Sequence, residues 1–493
     1  MATDSNPNQK TALEQDLGDL NRGVAINTLG NLVKIAHPLL LGVAVALYGE
    51  VNWGIFVTAQ AALLPIGRIA MLGLDKGLLW WTPRQSPENE RDGILPSLLM
   101  VMGLSALFAF VISTFFAPFL AEWRDLPQAE ASIRWMAYGL VPMAVMDIFV
   151  SCCMGKRVMG AQLVVRDILW PLSQVMFALG FFYMGEVENG LAMAFLLSCL
   201  LSATIAWLYF QRVFRGSSWS GSTFGLPREL IRYALPMWGA EVINSWLMRV
   251  DQIIVFSLLG PAQAGVYGIV LMVGNAIRTI RRAFDPIVTA IFSGAQAAND
   301  HERIGANFSY ATTLVIGSQI PVLAFIMLFS PWILPLLGDV YDSATMPIVI
   351  LCTFWILNGA LGLNGLILVG FGKSSWILFN VLIAIGTLIP LLYLWVPTTG
   401  LEGAAYAVGT AYTVQNLIQV LQVRHLTDRW HYRADVAWII LISIVAFASL
   451  GFTWWALSAQ DDWLRRVTAF ITFLVMGVGL TWTAKRRGYF RVI

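Results

Sequence analysis

The sequence predicts an all-α, polytopic membrane protein with about fourteen transmembrane helices. Three observations lead there: the composition, the recurrence of long apolar runs, and the sign of the charge between them. Of 493 residues, 58% are hydrophobic and only 12% charged, against roughly 25% charged in ordinary globular proteins. The net charge of +2 is too small to mark a nucleic-acid-binding surface, and the charges fall in short clusters between apolar stretches. Cys152, Cys153, Cys199 and Cys352 all lie inside apolar runs without metal-ligand spacing. They read as small buried hydrophobes, and no disulfide framework is expected.

Residues 1–22 are polar, carry both signs of charge and lack the apolar stretch of a cleavable signal, so the first span is expected to be an uncleaved anchor behind a cytoplasmic segment. Runs able to cross a hydrocarbon core of ~30 Å follow at 23–47, 52–81, 94–120, 132–154, 161–184, 188–212 and 229–259. A second series lies at 263–293, 306–330, 343–369, 375–396, 401–424, 435–458 and 463–484. Alternate connections, counted from the N-terminus, hold Lys10 and Arg22, Arg84 and Arg91, Lys156 and Arg157, Arg212, Arg215 and Arg228, Arg303, Lys373, Arg424, Arg429 and Arg433, and finally a basic tail of Lys485, Arg486, Arg487 and Arg491. The intervening ones are mostly acidic, with Arg124, Arg134, Arg465 and Arg466 as exceptions. The positive-inside rule then puts both termini in the cytoplasm. Every connection is short, which weighs against a membrane-embedded glycan polymerase with a large outer catalytic loop.

Landmarks recur at offsets of 211, 213 and 217 residues. Gly49 and Gly54 in the first outer turn match Gly260 and Gly265 in the fourth; Gly190 matches Gly403, and Gly155-Lys156 matches Gly372-Lys373. Each pair lies six spans apart, so the chain reads as two six-helix lobes in parallel repeat, 23–212 and 229–424, joined by a cytoplasmic linker at 213–228. Two appended helices follow in 435–484, and a cytoplasmic tail in 485–493.

At these same residues the chain resembles the polysaccharide-transporter branch of the multidrug/oligosaccharidyl-lipid/polysaccharide (MOP) exporter superfamily, the Wzx-type flippases for O-antigen and other lipid-linked oligosaccharides. The matching stretches are Leu47-Tyr48-Gly49-Glu50-Val51-Asn52-Trp53-Gly54-Ile55-Phe56, Leu235-Pro236 with Arg249-Val250-Asp251, Leu259-Gly260 with Gly265-Val266-Tyr267, and Gly400-Leu401-Glu402-Gly403-Ala404-Ala405. The resemblance implies two lobes around a central cavity, alternating access, and location in the cell inner membrane. It implies as cargo an undecaprenyl- or other polyprenyl-diphosphate-linked glycan, turned to the outer leaflet for exopolysaccharide or O-antigen synthesis, with membrane lipids, a glycan polymerase and export machinery as further partners. It calls for no enzymatic step, cofactor or nucleic acid.

An ionisable side chain at the bilayer centre costs about 2.5–3.5 kcal/mol on insertion scales, so each one present should face a cavity or a partner. Span one aligns Asn27, Asn31 and Lys34; span two carries Arg68 three residues after Pro65, with Asp75 two turns on; span four holds Asp147. Span seven has Glu241 and Arg249 on roughly one face and Asp251 on another, and span eight stacks Asn275, Arg278, Arg282 and Asp285 with Arg281 alongside. In the resembling family spans one, two, seven and eight line the cavity. Lys34, Arg68, Arg249, Arg278, Arg281 and Arg282, with Asn27 and Asn31, are therefore candidate ligands for a diphosphate, which guanidinium groups bind bidentately. Asp75, Asp147, Glu241, Asp251 and Asp285 are candidates for ion pairing or cation coupling. Each has a plainer reading: Arg278, Arg281 and Arg282, ~20–26 Å from the outer end of their span, would reach the inner headgroups, and the acids would simply pair with arginines. Gly370-Phe371-Gly372-Lys373-Ser374 ends like a phosphate-binding loop, but Ile367 stands where that motif needs glycine. No metal-ligand cluster is present in the sequence. The main alternative is a cation-coupled multidrug exporter of the same superfamily.

Overall fold

The computed structural model describes residues 46–486 except 86–90, 157, 159, 216–224, 283–300, 362, 372, 429 and 433. The expected first span with Asn27, Asn31 and Lys34, the basic tail beyond Arg486, and Asp285 lie outside the described residues. Every regular element among the described residues is helical. This follows from the solvent, because a chain in hydrocarbon must satisfy its backbone within each segment.

The helices are α1 (46–71), α2 (Leu74–Trp81), α3 (Ile94–Val111), α4 (Ala117–Arg124), α5 (Pro127–Tyr138), α6 (Leu140–Gly155), α7 (Trp170–Tyr183), α8 (Gly190–Val213) and α9 (Arg228–Leu247). After them come α10 (Val250–Arg282), α11 (His301–Ile333), α12 (Thr345–Leu361), α13 (Asn364–Gly370), α14 (Ser374–Thr427), α15 (Ala434–Ala456) and α16 (Asp462–Arg486). Eleven stretches are long and apolar enough to cross a membrane. Two of these, of 55 and 53 residues, turn at Gly260 and Gly400 and each hold two passes, which makes thirteen among the described residues.

The chain divides into two compact units, one holding 59–246 and the other 49–58 with 247–486. Helix α9 therefore belongs to the first unit, where Trp80 and Tyr233 stack with centroids 4.5 Å apart. Along α8 the small residues Ser198, Cys199, Ser202, Ala203 and Ala206 are buried together with Phe195 and Phe210, while Leu200, Trp207 and Leu208 point outward. The small residues allow close backbone approach, which favours helix association where lipid is as apolar as leucine. In the second unit α15 and α16 pack on α11, through Ala324, Leu328 and Phe329 against Ala446, Leu450, Ala469 and Phe473.

Two expected spans are interrupted. Span two, read as continuous over 52–81, breaks where Leu72 and Gly73 adopt positive φ of 48° and 71°. The cause is close packing of α9, because a Cβ on Gly73 would lie 3.0 Å from the Trp238 amide nitrogen. Trp238 Nε1 in turn donates to the Ile69 carbonyl at the break, at 3.1 Å, beside the Leu72 amide, which donates to the same oxygen at 3.3 Å. Span seven, read over 229–259, is interrupted by a turn at Met248 and Arg249. Two π-turns, at 112–116 and 162–169, precede Pro118 and Pro171 and have one origin. The Ala117 and Trp170 amides bond back to Ile112 and Val165, and the following proline has no N–H to offer.

Candidate functional site

The first unit gathers charge around its broken helix. Arg68, near the end of α1, reaches Asp75 Oδ2 at 3.3 Å and Asp147 Oδ2 at 3.4 Å. Asp75 sits in the first turn of α2, where the unpaired amides and dipole of a new helix favour a carboxylate; the helix break is what creates that position. Asp147 comes from the middle of α6. Its other oxygen lies 3.6 Å from Arg166, which the second π-turn carries, and Lys76 lies 3.9 Å from Asp75. Glu241 of α9 adds its field at Arg68. Asp75 and Asp147 side chains are 5% and 3% exposed and Arg68 14%, so these charges are held by one another. Deleting one partner of such a buried set costs about 3–5 kcal/mol because it strands the other.

The second unit holds a different arrangement. Arg278 of α10 is caged by aromatics, with its guanidinium carbon 4.7 Å from the Trp355 ring centroid and 5.1 Å from that of Tyr412. Its Nη1 donates to Met248 Sδ at 2.8 Å. A cation over an aromatic ring gains about 0.5–1 kcal/mol at exposed sites and about 2 kcal/mol when desolvated, and these contacts turn Arg278 into the unit and tie it to Met248 at the break. Asp251 accepts a hydrogen bond from Tyr267 Oη at 2.9 Å. Its other oxygen, buried, has no hydrogen-bond partner among the described residues. Met248, Asp251, Asn275, Arg278, Trp355 and Tyr412 wall a cavity of about 30 Å³, room for about one water. Arg249 lies half-buried in the turn itself, beside the N-terminus of α10 and close enough to Asp251 to act on it electrostatically. Arg281 and Arg282 occupy the last turn of α10, the first half-buried and the second exposed.

The structure thus joins Arg68, Asp75 and Asp147, predicted from three separate positions, and adds Arg166 and Lys76. Arg166 had a visible signal, being an arginine inside an apolar run five residues before Pro171. The aromatic cage had none, since Trp355 and Tyr412 look like any lipid-facing aromatics until the fold turns them inward. Neutral amides were also missed. Asn416 Nδ2 donates to Asn358 Oδ1 at 2.9 Å, and Asn380 and Gln422 exchange reciprocal bonds of 2.7 and 3.0 Å. Among the described residues no group of three His, Cys, Asp or Glu side chains is placed to hold a metal ion.

The fold is that of the MOP superfamily of membrane transporters. It is similar to the lipid II flippase MurJ in an inward closed conformation, with a TM-score of 0.71 and 11% identity over 94% of this chain and 98% of that one. It is also similar to an inward-facing multidrug resistance MATE family transporter, at 0.62 and 16% identity over 82% and 94%. A MOP superfamily transporter from Pyrococcus furiosus matches at 0.60 and 16% identity over 83% and 95%. No curated protein matches the sequence. Residues 87–346, just over half of the chain, match the family described as polysaccharide biosynthesis protein, and the chain belongs to that family.

Proposed function

We propose that this chain is a flippase that carries a polyprenyl-diphosphate-linked oligosaccharide or polysaccharide repeat unit from the cytoplasmic to the outer leaflet of the inner membrane by alternating access. The observation that carries the reading is the combination of family and fold: a member of a polysaccharide biosynthesis family has the architecture of a transporter. Such a cargo brings a diphosphate into the membrane, where it needs desolvated cationic partners. Arg249 is the residue best suited, because it stands at a helix interruption next to the N-terminus of α10, and interrupted helices present their positive ends to anionic groups at transport sites. The remaining cargo contacts fall to Lys34 with Asn27 and Asn31, to Arg68, and to Arg278, Arg281 and Arg282. Both termini lie in the cytoplasm, and a glycan polymerase and export machinery take up the product. The rival reading, a cation-coupled multidrug exporter, rests on the fold alone and leaves the family match unused.

The test is transport of lipid-linked substrate, measured beside membrane abundance, for Arg249→Ala, Arg249→Lys and the double change Glu241→Gln with Arg249→Gln. Arg249→Ala abolishes flipping at normal abundance. Arg249→Lys recovers part of it, since an ammonium supplies charge without the planar fork. Restored transport in the double variant would overturn the claim, because neutralising an ion pair can rescue structure but cannot replace a phosphate ligand.

A further inference from the structure

A groove of about 590 Å³ runs between α11, α15 and α16 in the second unit. Its polar atoms are spoken for. The hydroxyls of Thr313, Ser318, Ser443 and Thr481 each donate to a carbonyl of their own helix, at 2.8, 2.9, 2.6 and 2.7 Å, so the wall facing the groove is apolar. The width comes from missing side chains, since a Cβ on Gly477 would meet nothing within 4 Å. The groove is also polarised along its length. At one end stands Lys485, the sole charged residue among the described lining residues, in the last turn of α16. Trp482 is beside it, with the Arg486 guanidinium 3.7 Å from its ring centroid, a pairing suited to a membrane–water interface. The other end is shut by the packed cluster of Phe329, Ala446, Leu450, Ala469 and Phe473. From Phe473 to Lys485 the helix rises about 18 Å, close to one leaflet's half of a ~30 Å core.

We infer that this groove is a binding site for one acyl chain of an anionic glycerophospholipid, with the phosphate of its headgroup at Lys485 and its chain reaching the closed end. An apolar channel one leaflet deep, blocked at mid-membrane and positive at its mouth, matches a resident lipid that keeps its headgroup at one surface. The polyprenyl tail of a transported substrate is longer than a leaflet and would have to be withdrawn from a blind groove as the head crosses. In the orientation proposed above the lipid belongs to the cytoplasmic leaflet, but the binding claim does not depend on that orientation or on the transported cargo.

The experiment uses the purified full-length protein in mixed micelles, with phosphatidylglycerol or phosphatidylcholine carrying a photoactivatable group in the acyl chain, followed by peptide mapping of the cross-links. Phosphatidylglycerol labels residues 313–321, 439–446 and 473–482 about fivefold more than phosphatidylcholine at equal mole fraction, the preference expected of one basic residue at the surface. Lys485→Gln brings the two lipids to parity. Gly477→Phe fills the groove and abolishes labelling by both, and Gly477→Leu, a smaller change, reduces it severalfold; both are scored only at wild-type elution and melting temperature. Labelling spread evenly over outward residues such as Phe110, Met176 and Phe452, labelling undiminished in Gly477→Leu, or an anionic preference that survives Lys485→Gln overturns the inference. So does displacement of phosphatidylglycerol by an equimolar polyprenyl phosphate, which would give the groove to the substrate's tail.

Discussion

Arg68 shares one nitrogen between two carboxylates from different helices, at 3.3 and 3.4 Å, and that geometry separates stability from transport. Replacing it with glutamine leaves Asp75 and Asp147 facing each other in a nearly dry interior, and the expected loss is about 3–5 kcal/mol, read as a lower melting temperature and reduced membrane abundance. Adding Asp147→Asn removes one of the stranded charges and should recover most of that stability. If Arg68 also binds cargo, the stable double variant still fails to flip lipid-linked substrate; wild-type transport by it would confine Arg68 to a structural role. The three members of this cluster were legible as buried charges in apolar runs. Their pairing was not, because it depends on which faces of α1, α2 and α6 meet, and on where the break at Leu72 and Gly73 leaves Asp75 relative to Arg68.

At the scale of elements, the recurring glycines have a mechanical meaning. Gly49, Gly260 and Gly400 have φ of 78°, 84° and 61°, a left-handed conformation that lets a helix reverse in a single residue and that other side chains adopt only at a cost. Their companions make the close contact. A Cβ on Gly54 would stand 2.9 Å from the amide nitrogen of Gly265, and one on Gly265 would stand 3.1 Å from that of Gly54. Two matched turns that interlock reciprocally are what a pseudo-twofold repeat produces, so the offset of 211 visible in the sequence corresponds to a physical contact. Gly54→Leu or Gly265→Leu should each destabilise the second unit by at least the 1–3 kcal/mol typical of overpacking, detected as a lower melting temperature, whereas Gly451→Leu, with open space around its Cβ, should not. An unchanged melting temperature in Gly54→Leu would remove this account of the repeat. The π-turns were less legible. Pro118 and Pro171 mark an irregularity, but nothing in the sequence says that the Ser113 carbonyl left over would be taken by Arg134 Nε at 3.0 Å.

Across the whole molecule, the number of spans was the most legible feature, because hydrocarbon tolerates so few backbone solutions that length and composition nearly determine them. Orientation rests on the alternation of basic and acidic connections, and the structure gives three of the four basic exceptions on the acidic side a local partner. Arg134 pairs with Glu130 at 2.6 Å. Arg465 lies 3.8 Å from the Trp454 ring centroid and donates to the Trp454 carbonyl, and Arg466 pairs with Asp462 at 2.7 Å and donates to the Leu328 carbonyl. Cations tied down at helix ends in this way are consumed locally and weigh less in the count of free positive charge near the membrane. The prediction is that the 121–131 and 331–342 connections face outward. The four native cysteines are buried, so a background lacking them needs only small apolar replacements, and single cysteines introduced at Gln128 and Asp339 should react with a membrane-impermeant thiol reagent in intact cells. A cysteine at Ser220 should react only after permeabilisation. Protection of both connections together with labelling at Ser220 would reverse the orientation, and would place the Lys485 end of the groove in the outer leaflet instead.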